Sequence, residues 1–424
     1  MANDKDYEMF QLSNGLDVLL VPNRYVESVY VCLKGKVGRR AERDDEVGAA
    51  HFLEHLFFDG TQKRPSALEI NRFIESVGGS RQGFTTPEEV GYESRVIKDN
   101  AEYMFDFISD IFQNSLLEEF EKERKVIAQE AAADRDDPFG SLMRQRTKTM
   151  FPRQNVGRTI FDEETNLPNM TPDILRQYHQ RTYTANNFVL AVAGNIETEE
   201  AHALAEKYFS SIARGESVHP TLAETRGEKV IDIENRDTSQ SKLAISFTGL
   251  PLNHDMQPAM HIMRNLLGMG SSSRLYNRLR HEMNIAYFTG IRTLDLADAG
   301  VFTILTFVDE TNLQTACDAI IEEIQKLLDE GVTDQELERA KNMYLSDVTF
   351  KSDDPDYVVN NYTSQHVLTG RITSTSEKIE NARNVGQADV MKIAREIFAD
   401  QPKVNVITPT AGEITIPEIS VHRQ

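Results

Sequence analysis

The feature that most constrains the fold of this chain is a faint internal repeat. The segment that begins at Leu117 (LEEFEKER) resembles the segment that begins at Asp334 (DQELERAK), 217 positions later, and each follows a long amphipathic helical pattern and a short break. At 424 residues the chain also exceeds one ordinary core, since domains usually hold about 100–200 residues. The repeat therefore predicts two tandem homologous domains.

Each half of the chain mixes strand and helix patterns. Asn14-Gly15 separates two apolar segments and predicts a hairpin with a tight primed turn, and Phe188–Gly194 predicts a buried strand. Ser66 and Glu69 form a capping-box pattern, which predicts the start of a helix. Together these patterns predict an α+β fold in which each domain is a mostly antiparallel sheet with helices packed on it.

The best candidate for a linker is the segment 213–229 (ARGESVHPTLAETRGEK), which is polar, contains glycines and a proline, and lacks an amphipathic period. The predicted boundaries are therefore an N-terminal domain at 1–212, a linker at 213–229 and a C-terminal domain at 230–424.

The composition indicates a globular protein of the cytoplasm. Hydrophobic residues make up 40% and charged residues 27%, and no uncharged apolar run reaches the roughly 18 residues of a membrane span. The polar N-terminus lacks a signal-peptide pattern. Cys32 and Cys317 are expected to be buried free thiols, which fits a reducing compartment. The formal net charge of −21 argues against a nucleic-acid partner, and we expect no membrane partner either.

The sharpest local motif is the segment His51 to His55 (HFLEH). Two histidines four positions apart lie on one face of a helix, which suits two imidazole ligands of one Zn²⁺. Glu54 projects on nearly the same face without being needed as a ligand, so it is free to accept a proton from a water molecule. H-x-x-E-H is the inverted zincin motif. The sequence therefore predicts one zinc ion per chain, with His51 and His55 as ligands.

The alternative is a helix that carries hydrogen-bonded surface histidines and no metal. The flanking segments, Ala49-Ala50 before the motif and LFF after it, make this helix largely apolar. Polar side chains are costly to bury on such a helix unless a partner satisfies them. A metal ion would be such a partner, so the flanks favour the metal site.

A third protein ligand is expected, because catalytic zinc usually has three protein ligands and one open position. The next acidic helix pattern offers Glu123 and Glu130, which are seven positions apart and therefore share one face. Spacing alone does not choose between them.

The chain resembles the pitrilysin–insulysin–mitochondrial processing peptidase family along nearly its whole length. The segments GAAHFLEHLFFDGT and IESVGGSRQGFTTPEEVGYESRV are similar to the family, and Glu123 to Glu130 (ERKVIAQE) matches its E-R-x-V-x-x-x-E motif, 75 positions after His55 at its last residue. The resemblance implies that Glu130 is the third zinc ligand. It also implies that Glu123 is a supporting carboxylate that orients a ligand or tunes its basicity.

The second half carries an R-x₆-Y motif from Arg280 to Tyr287 (RHEMNIAY). In similar proteins this arginine and tyrosine reach the zinc site of the facing half. The resemblance therefore implies that Arg280 binds the substrate and that Tyr287 donates a hydrogen bond to the oxyanion. On spacing alone, an exposed arginine and a core tyrosine are the alternative.

The resemblance also implies an edge strand that pairs with the substrate peptide, at Gln82, Gly83, Phe84 and Thr85. The family usually has Asn-Ala-x-Thr here. Backbone pairing does not depend on that difference, because an added strand binds through main-chain groups. Gln82 has a longer side chain than asparagine, and Gly83 is expected to loosen the strand. The departure bears on substrate preference more than on catalysis.

These features predict a zinc metalloendopeptidase that hydrolyses peptides or unfolded polypeptide segments in a closed chamber, with Glu54 as the general base. Because one chain carries both the H-x-x-E-H motif and the Arg280/Tyr287 pair, we expect a homodimer with two complete sites. A heterodimer with a related chain is the alternative assembly.

Three other functions are compatible with parts of the pattern. A non-catalytic scaffold or partner subunit of the same fold would usually lose motif residues, whereas all of them are present here. A module that binds zinc or peptide without turnover has no need for Glu54. A maturation enzyme dedicated to one precursor would share the chemistry and differ only in its substrate.

Overall fold

The structure is a computed structural model that describes residues 6–225, 230–410 and 412–421. Its strands are β1 (Glu8–Gln11), β2 (Asp17–Pro22), β3 (Ser28–Gly35), β4 (Ser80–Thr85), β5 (Val90–Ile97), β6 (Phe188–Gly194), β7 (Val230–Asn235), β8 (Ser241–Gly249), β9 (Ala286–Asp295), β10 (Gly300–Val308) and β11 (Lys403–Thr408).

The helices lie between these strands, singly or in runs. They are α1 (Ala49–Phe57), α2 (Ala67–Ser76), α3 (Ala101–Asn114), α4 (Phe120–Asp136), α5 (Pro138–Met150), α6 (Ile160–Asn166), α7 (Pro172–Thr182), α8 (Thr198–Phe209), α9 (Gln257–Gly268), α10 (Arg274–Tyr276), α11 (Leu313–Glu330), α12 (Asp334–Ser352), α13 (Pro355–Thr369), α14 (Thr375–Asn384) and α15 (Gln387–Phe398). A π-helical turn at Asn277–Glu282 follows α10.

The chain forms two compact units that exchange segments. The first unit comprises residues 1–133, 158–221 and 351–375, and the second comprises 134–157, 222–350 and 376–424. Compactness and homology are different criteria, so the boundaries predicted for homologous domains (1–212, 213–229 and 230–424) stay a prediction. Residues 213–225 contain no helix or strand, and the last four residues of the predicted linker lie outside the described residues.

The first unit is built on a sheet with the strand order β1-β2-β6-β3-β5-β4. Only β2 and β6 pair in parallel among its strands, and β4 is an edge strand. Helices α1, α3 and α8 contact one face of this sheet, and α13 packs on the other face against β2, β6 and β3. Alternate residues of β3 therefore enter two different clusters, with Val31 on the side of α3 and Cys32 on the side of α13.

The second unit repeats this plan with the strand order β7-β11-β8-β10-β9. Its one parallel pair among the described strands joins β7 and β11, the positions that correspond to β2 and β6. Helices α9, α11 and α15 form one large apolar cluster with the sheet, and α5 packs on the other face against β11 and β8. The prediction of an α+β fold with two similar, mostly antiparallel sheets is confirmed.

Local predictions agree with the structure except at the first turn. Ser66 Oγ accepts the backbone N–H of Glu69 at 3.3 Å and caps α2, as predicted. The hairpin of β1 and β2 is present, but residues 12–16 form its loop and only Gly15 has a positive φ, of 86°. With Asn14 and Gly15 at its centre, a primed turn needs a positive φ at Asn14 in either of its two types, and Asn14 has none. Asn14 instead donates its amide to the Phe209 and Ile212 carbonyls at 2.9 Å, so a tertiary contact shapes the loop.

The two cysteines are buried and unpaired, as predicted. Burial raises the pKa of both thiols to about 12, which keeps them protonated and unreactive at neutral pH. Among the residues that the structure describes, no helix combines the length and the apolar character that crossing a membrane requires.

Candidate metal centre

Helix α1 presents the polar residues of the H-x-x-E-H motif on the side that its core contacts leave open. His51, Glu54 and His55 are partly exposed, because the remaining positions of the helix are apolar and packed into the first unit. The packed residues are Ala49, Ala50, Phe52, Leu53, Leu56 and Phe57. Burial of this apolar face fixes the direction in which the three polar side chains point.

The first turn of α1 is held by a buried carboxyl group. Glu42 accepts the backbone N–H groups of Gly48 at 3.1 Å and Ala50 at 3.0 Å, which have no partner within the helix. Burial, which outweighs these hydrogen bonds, raises the pKa of Glu42 to about 8. The contact anchors the end of the helix from which His51 projects.

Three donor atoms converge beside α1. His51 Nε2 lies 3.2 Å from His55 Nε2, and Glu130 Oε2 from α4 lies 3.4 Å from the first nitrogen and 3.6 Å from the second. In the described part of the chain, these residues form the one group of three histidine, cysteine or acidic side chains close enough to share a metal ion. The structure thus brings together the three residues that the sequence and the resemblance predict as ligands.

This donor set fits Zn²⁺. Zinc in proteins takes imidazole nitrogens and carboxylate oxygens, and ligands about 2.0–2.1 Å from a tetrahedral ion lie about 3.3 Å from one another. The separations of 3.2, 3.4 and 3.6 Å among the His51, His55 and Glu130 donors match that edge length. Three protein donors leave the fourth position of a tetrahedral site open.

The other ring nitrogen of each histidine contacts a carboxylate. His55 Nδ1 lies 2.9 Å from Glu123 Oε2, in agreement with the supporting role that the resemblance implies for Glu123. His51 Nδ1 lies 2.7 Å from Glu163 Oε2 in α6. Carboxylates in this position fix the tautomer and the orientation of a metal-binding imidazole.

Glu163 is a site residue that the sequence reasoning missed. It lies 112 positions after His51, in a segment with no motif that the sequence analysis recognised. Its carboxylate is 1% exposed and also forms an ion pair with Arg39. Burial alone would raise the pKa of Glu163, but the Arg39 guanidinium and the His51 imidazole outweigh it and lower the pKa to about 2. Glu163 is therefore ionised at neutral pH.

The carboxylates around His51 create a potential that favours cations. Burial on its own would lower the pKa of His51, but hydrogen bonds with Glu130 and Glu163 outweigh it and raise the pKa to about 10. The hydrogen bond with His51 likewise holds the pKa of Glu130 below its usual value. Stabilisation of a positive charge at this point is what a cation-binding site requires.

Glu54 is held beside the three donors and not among them. Its Oε2 accepts a hydrogen bond from Thr85 Oγ1 in β4 at 2.6 Å. Gly83 makes room for this arrangement, because a Cβ at that position would lie 2.9 Å from Glu54 Oε1 and 2.7 Å from the Phe58 ring. The glycine that was expected to loosen the strand thus also provides the space in which Glu54 rests.

The predicted substrate strand coincides with the edge strand β4. Gly83 and Thr85 face α1, so alternation directs Gln82 and Phe84 to the opposite face of the sheet. Gln82 is exposed, and the Phe84 ring lies over Gly91. The binding of a peptide by these four residues stays a prediction.

Arg280 and Tyr287 belong to the second unit. Arg280 lies in the π-helical turn and donates from Nη1 to the Ala286 carbonyl at 2.9 Å. Tyr287 is 55% exposed, so it is not a core tyrosine, and its hydroxyl donates to the Asp309 carboxylate at 3.3 Å. Ala286 directly precedes Tyr287, so this hydrogen bond ties the Arg280 side chain to the backbone next to Tyr287. The catalytic roles of both residues stay predictions.

Comparison with known proteins assigns the chain to a family. Residues 17–164 match the family model described as Insulinase (Peptidase family M16), and residues 169–344 match the one described as Peptidase M16 inactive domain. An uncharacterized zinc protease of Rickettsia bellii is 31% identical over 408 residues, which cover 96% of this chain and 98% of the relative. The chain belongs to peptidase family M16. The zinc protease YmxG of Bacillus subtilis, also called uncharacterized, is 28% identical over 95% of this chain and 98% of its own length.

Solved structures show that the M16 fold extends along nearly the whole chain. A protease from Helicobacter pylori matches with a TM-score of 0.86 at 22% identity, covering 96% of this chain and all of that one. A peptidase M16 inactive domain from Pseudomonas fluorescens matches with a TM-score of 0.87 at 14% identity, covering 97% of this chain and all of that one. The family models and the curated relatives show that the chain is, at the level of the family, a zinc-peptidase-like protein.

Proposed function

We propose that this M16 chain is a zinc-dependent endopeptidase that hydrolyses peptides or unfolded polypeptide segments. The observation that carries the proposal is the convergence of His51 Nε2, His55 Nε2 and Glu130 Oε2, with the Glu54 carboxylate beside them and outside the set. These three residues would hold one Zn²⁺ per chain. When bound, zinc supplies a Lewis acid that polarises the scissile carbonyl and lowers the pKa of water.

The supporting carboxylates orient the histidines for a metal. Glu163 and Glu123 accept the Nδ1–H protons of His51 and His55, so each Nε2 would be the nitrogen that gives up its proton and offers its lone pair when a metal binds.

Glu54 is the group that moves protons. Thr85 donates to Oε2, whereas Oε1 has no hydrogen-bond partner among the described residues. We assign to Oε1 the acceptance of a proton from the attacking water and its delivery to the leaving amine. The hydrogen bond from Thr85 holds the carboxylate in position for both transfers.

An extended peptide is the substrate that the first unit best accommodates. Strand β4 lies at the edge of its sheet and passes directly beside Glu54 at Gly83 and Thr85. A peptide could add to this edge through main-chain hydrogen bonds. Such pairing needs an extended backbone, which supports unfolded segments as substrates.

The assembly is part of the proposal. Because one chain supplies both the zinc motif and the Arg280/Tyr287 pair, we propose a homodimer in which Arg280 binds substrate and Tyr287 donates to the oxyanion in a closed chamber. Mixing inactive Glu54→Gln chains with inactive Tyr287→Phe chains should restore activity if sites are shared between chains. The buried, unpaired thiols support a reducing, cytoplasmic location.

The test of function combines metal content with turnover. We expect about one zinc per chain by elemental analysis, and cleavage of an unstructured-peptide library. Glu54→Gln should keep its zinc and lose activity by about 10²–10⁴-fold, the usual contribution of a general base. Glu75→Gln is the matched control, since Glu75 is exposed on α2 and its substitution removes the same charge.

The outcomes separate the rival functions. Zinc binding without cleavage of any peptide would indicate a module that binds without turnover. A protein that does not bind zinc with high affinity would be a scaffold. Cleavage of a single precursor and of no library peptide would indicate a dedicated maturation enzyme.

A further inference from the structure

The edge strand β4 carries a cation next to the catalytic centre. Arg81 precedes Gly83 and Thr85 at alternate positions, so its side chain lies on the face of the sheet that contacts α1 and Glu54. Successive residues on one face of a strand are about 6.8 Å apart. Arg81 is therefore one such step along the edge from the position beside Glu54.

The Arg81 side chain is fixed by two uncharged residues. Its guanidinium stacks on the Phe58 ring, with the guanidinium carbon 4.4 Å from the ring centroid. Nε and Nη2 donate to the Asn71 side-chain oxygen at 3.2 and 2.9 Å. A guanidinium held in this way loses little further freedom when it binds a ligand.

Among the residues that the structure describes, Arg81 forms no ion pair with an acidic side chain. Three other arginines of the same unit, Arg39, Arg40 and Arg64, form ion pairs with carboxylates. In the described ranges, Arg81 forms none, and its Nη1 makes no hydrogen bond. Loss of solvent lowers the pKa of Arg81, and the nearby Asp59 offsets this only in part. A half-buried cation that has no directly paired carboxylate gains free energy when an anion reaches it.

A substrate peptide paired with β4 can supply a carboxylate to Arg81. On a strand paired with this edge, the side chain across from Gly83 lies beside Glu54, and the next side chain on that face lies across from Arg81. The guanidinium fork matches a carboxylate better than any other peptide group. We propose that Arg81 is a specificity-determining residue that selects substrates with a carboxylate a few residues from the scissile bond. This inference rests on the proposed function and names its substrate class.

The test uses matched peptides that differ at one position. A cleaved library peptide is remade with Glu, Gln or Lys at each of three positions on either side of its scissile bond, with its C-terminus amidated. A second set carries a free C-terminal carboxylate at those distances. At one position we expect kcat/KM to be about tenfold or more higher for Glu than for Gln, the usual strength of a hydrogen bond to a charged group.

Variants assign the preference to Arg81. Arg81→Gln should abolish the preference for Glu, Arg81→Lys should keep part of it, and Arg81→Glu should reverse it in favour of Lys. Arg72→Gln is the charge-matched control, because Arg72 is exposed on α2 next to Asn71. Zinc content and thermal melting establish that each variant is folded, and the reversal by Arg81→Glu is a result that unfolding would not produce.

Each outcome decides the proposal. Equal cleavage of the Glu, Gln and Lys peptides by the wild type overturns the role of Arg81 and leaves the peptidase function intact. A preference for Glu that survives in Arg81→Gln also overturns it. If only the peptides with a free C-terminal carboxylate are preferred, Arg81 still selects a carboxylate, and that carboxylate is the C-terminus of the substrate and not a glutamate side chain. If zinc-loaded protein cleaves no peptide, both the inference and the proposed function fail.

Discussion

His51 and His55 each use both ring nitrogens, and the two uses depend on each other. Nδ1 contacts a carboxylate, that of Glu163 for His51 and that of Glu123 for His55. Nε2 of each histidine lies next to the Glu130 carboxylate at the candidate metal position. A carboxylate on one nitrogen makes the other more basic and holds the ring in place. Affinity for zinc should therefore depend on residues that never touch the ion.

Glu163→Gln tests this dependence. We expect zinc affinity to fall by about 10–100-fold, the usual effect of removing such an outer hydrogen-bond partner. Glu163→Asp, which keeps the charge, should recover part of the loss. The measurement is zinc competition with a chromogenic chelator, together with urea unfolding, since Arg39 loses its ion-pair partner. Glu200→Gln, at an exposed position of α8, is the control, and unchanged affinity in Glu163→Gln would contradict the role.

Gly83 is the second residue with a specific prediction. Gly83→Ala restores the residue that the family usually has, but its Cβ would lie 2.9 Å from Glu54 Oε1 and 2.7 Å from the Phe58 ring. We expect Glu54 to be displaced, kcat/KM to fall by about tenfold or more, and zinc content to stay unchanged. Gly79→Ala is the control, since the nearest atom to its added Cβ is 3.4 Å away. Full activity of Gly83→Ala would show that Glu54 does not need its present position.

The sequence could predict the residues of this centre that belong to motifs. H-x-x-E-H points to His51, Glu54 and His55 because helical spacing alone puts them on one face. Glu130 needed the resemblance, since the spacing of its helix allowed Glu123 equally well. Glu163 had no local signal, because its contact with His51 exists only after α6 packs beside α1. A single sequence gives no local pattern that predicts a contact between two residues far apart along the chain.

At the scale of elements, the start of α12 shows how one carboxylate serves several contacts. Glu336 accepts the backbone N–H and the hydroxyl of Thr333 at 2.9 Å, while Thr333 Oγ1 accepts the N–H of Glu336 at 3.3 Å. Arg274 donates to both of its oxygens, at 2.6 and 2.9 Å. Burial alone would raise the pKa of Glu336, but the contacts with Arg274 and Thr333 outweigh it and lower the pKa to about 2.

This shift makes the stability of the second unit depend on pH. The folded-state pKa of Glu336, about 2, lies below the unfolded value near 4.5. The contribution is therefore present above about pH 4.5 and is lost as the pH falls towards 2. Glu336→Gln should lower the free energy of unfolding by about 1–2 kcal/mol at pH 7, after allowance for solvent screening, and by about half of that or less at pH 3.

Urea unfolding at pH 7, 5 and 3 measures this difference. Glu338→Gln on the same helix is the control, because Glu338 is exposed and its contact with Lys341 is long, at 3.8 Å. We expect that control to change the free energy of unfolding by less than about 0.5 kcal/mol at every pH. A loss in Glu336→Gln that is equal at pH 7 and pH 3 would exclude the ionised carboxylate as its cause.

Most elements were predictable because their signals are local. The buried strand predicted at Phe188–Gly194 is β6 with the same bounds, and Ser66, which accepts the backbone N–H of Glu69, caps the start of α2 as predicted. The turn at Asn14 was not predictable, because its amide contacts the carbonyls of Phe209 and Ile212, far along the chain. Helices and strands can be predicted from the periodicity of their own residues, whereas the conformation of this loop depends on tertiary contacts.

At the scale of the whole molecule, each sheet is covered by a helix from the other half of the sequence. Helix α5 comes from the first half and packs on β8 and β11, and α13 comes from the second half and packs on β2, β3 and β6. Lys34 joins α13 to its sheet, with Nζ donating to the Asn360 carbonyl at 3.2 Å and to Ser364 Oγ at 3.0 Å. Hydrophobic periodicity reports that a helix has an apolar face and not which sheet receives it, so the exchange was not predicted.

This exchange predicts the behaviour of separated gene halves. A fragment of residues 1–217 would lack α13 and expose the apolar face that contains Leu19, Tyr30, Cys32, Val189 and Ala191. We expect it to aggregate when expressed alone, since exposed apolar faces of this kind associate. Co-expression with residues 218–424 should yield a stable complex that binds zinc. A folded, monomeric 1–217 fragment in sedimentation and circular dichroism would contradict this.

The same feature bears on how such a chain is inherited. Recombination that moved one half into another gene would leave its sheet without a cover and would carry away the helix that the abandoned half requires. A break of the backbone in the linker removes neither helix, so a nicked protein should persist where a truncated one does not. The two halves can therefore be shuffled only as a pair, or with a partner that supplies the missing helix in trans.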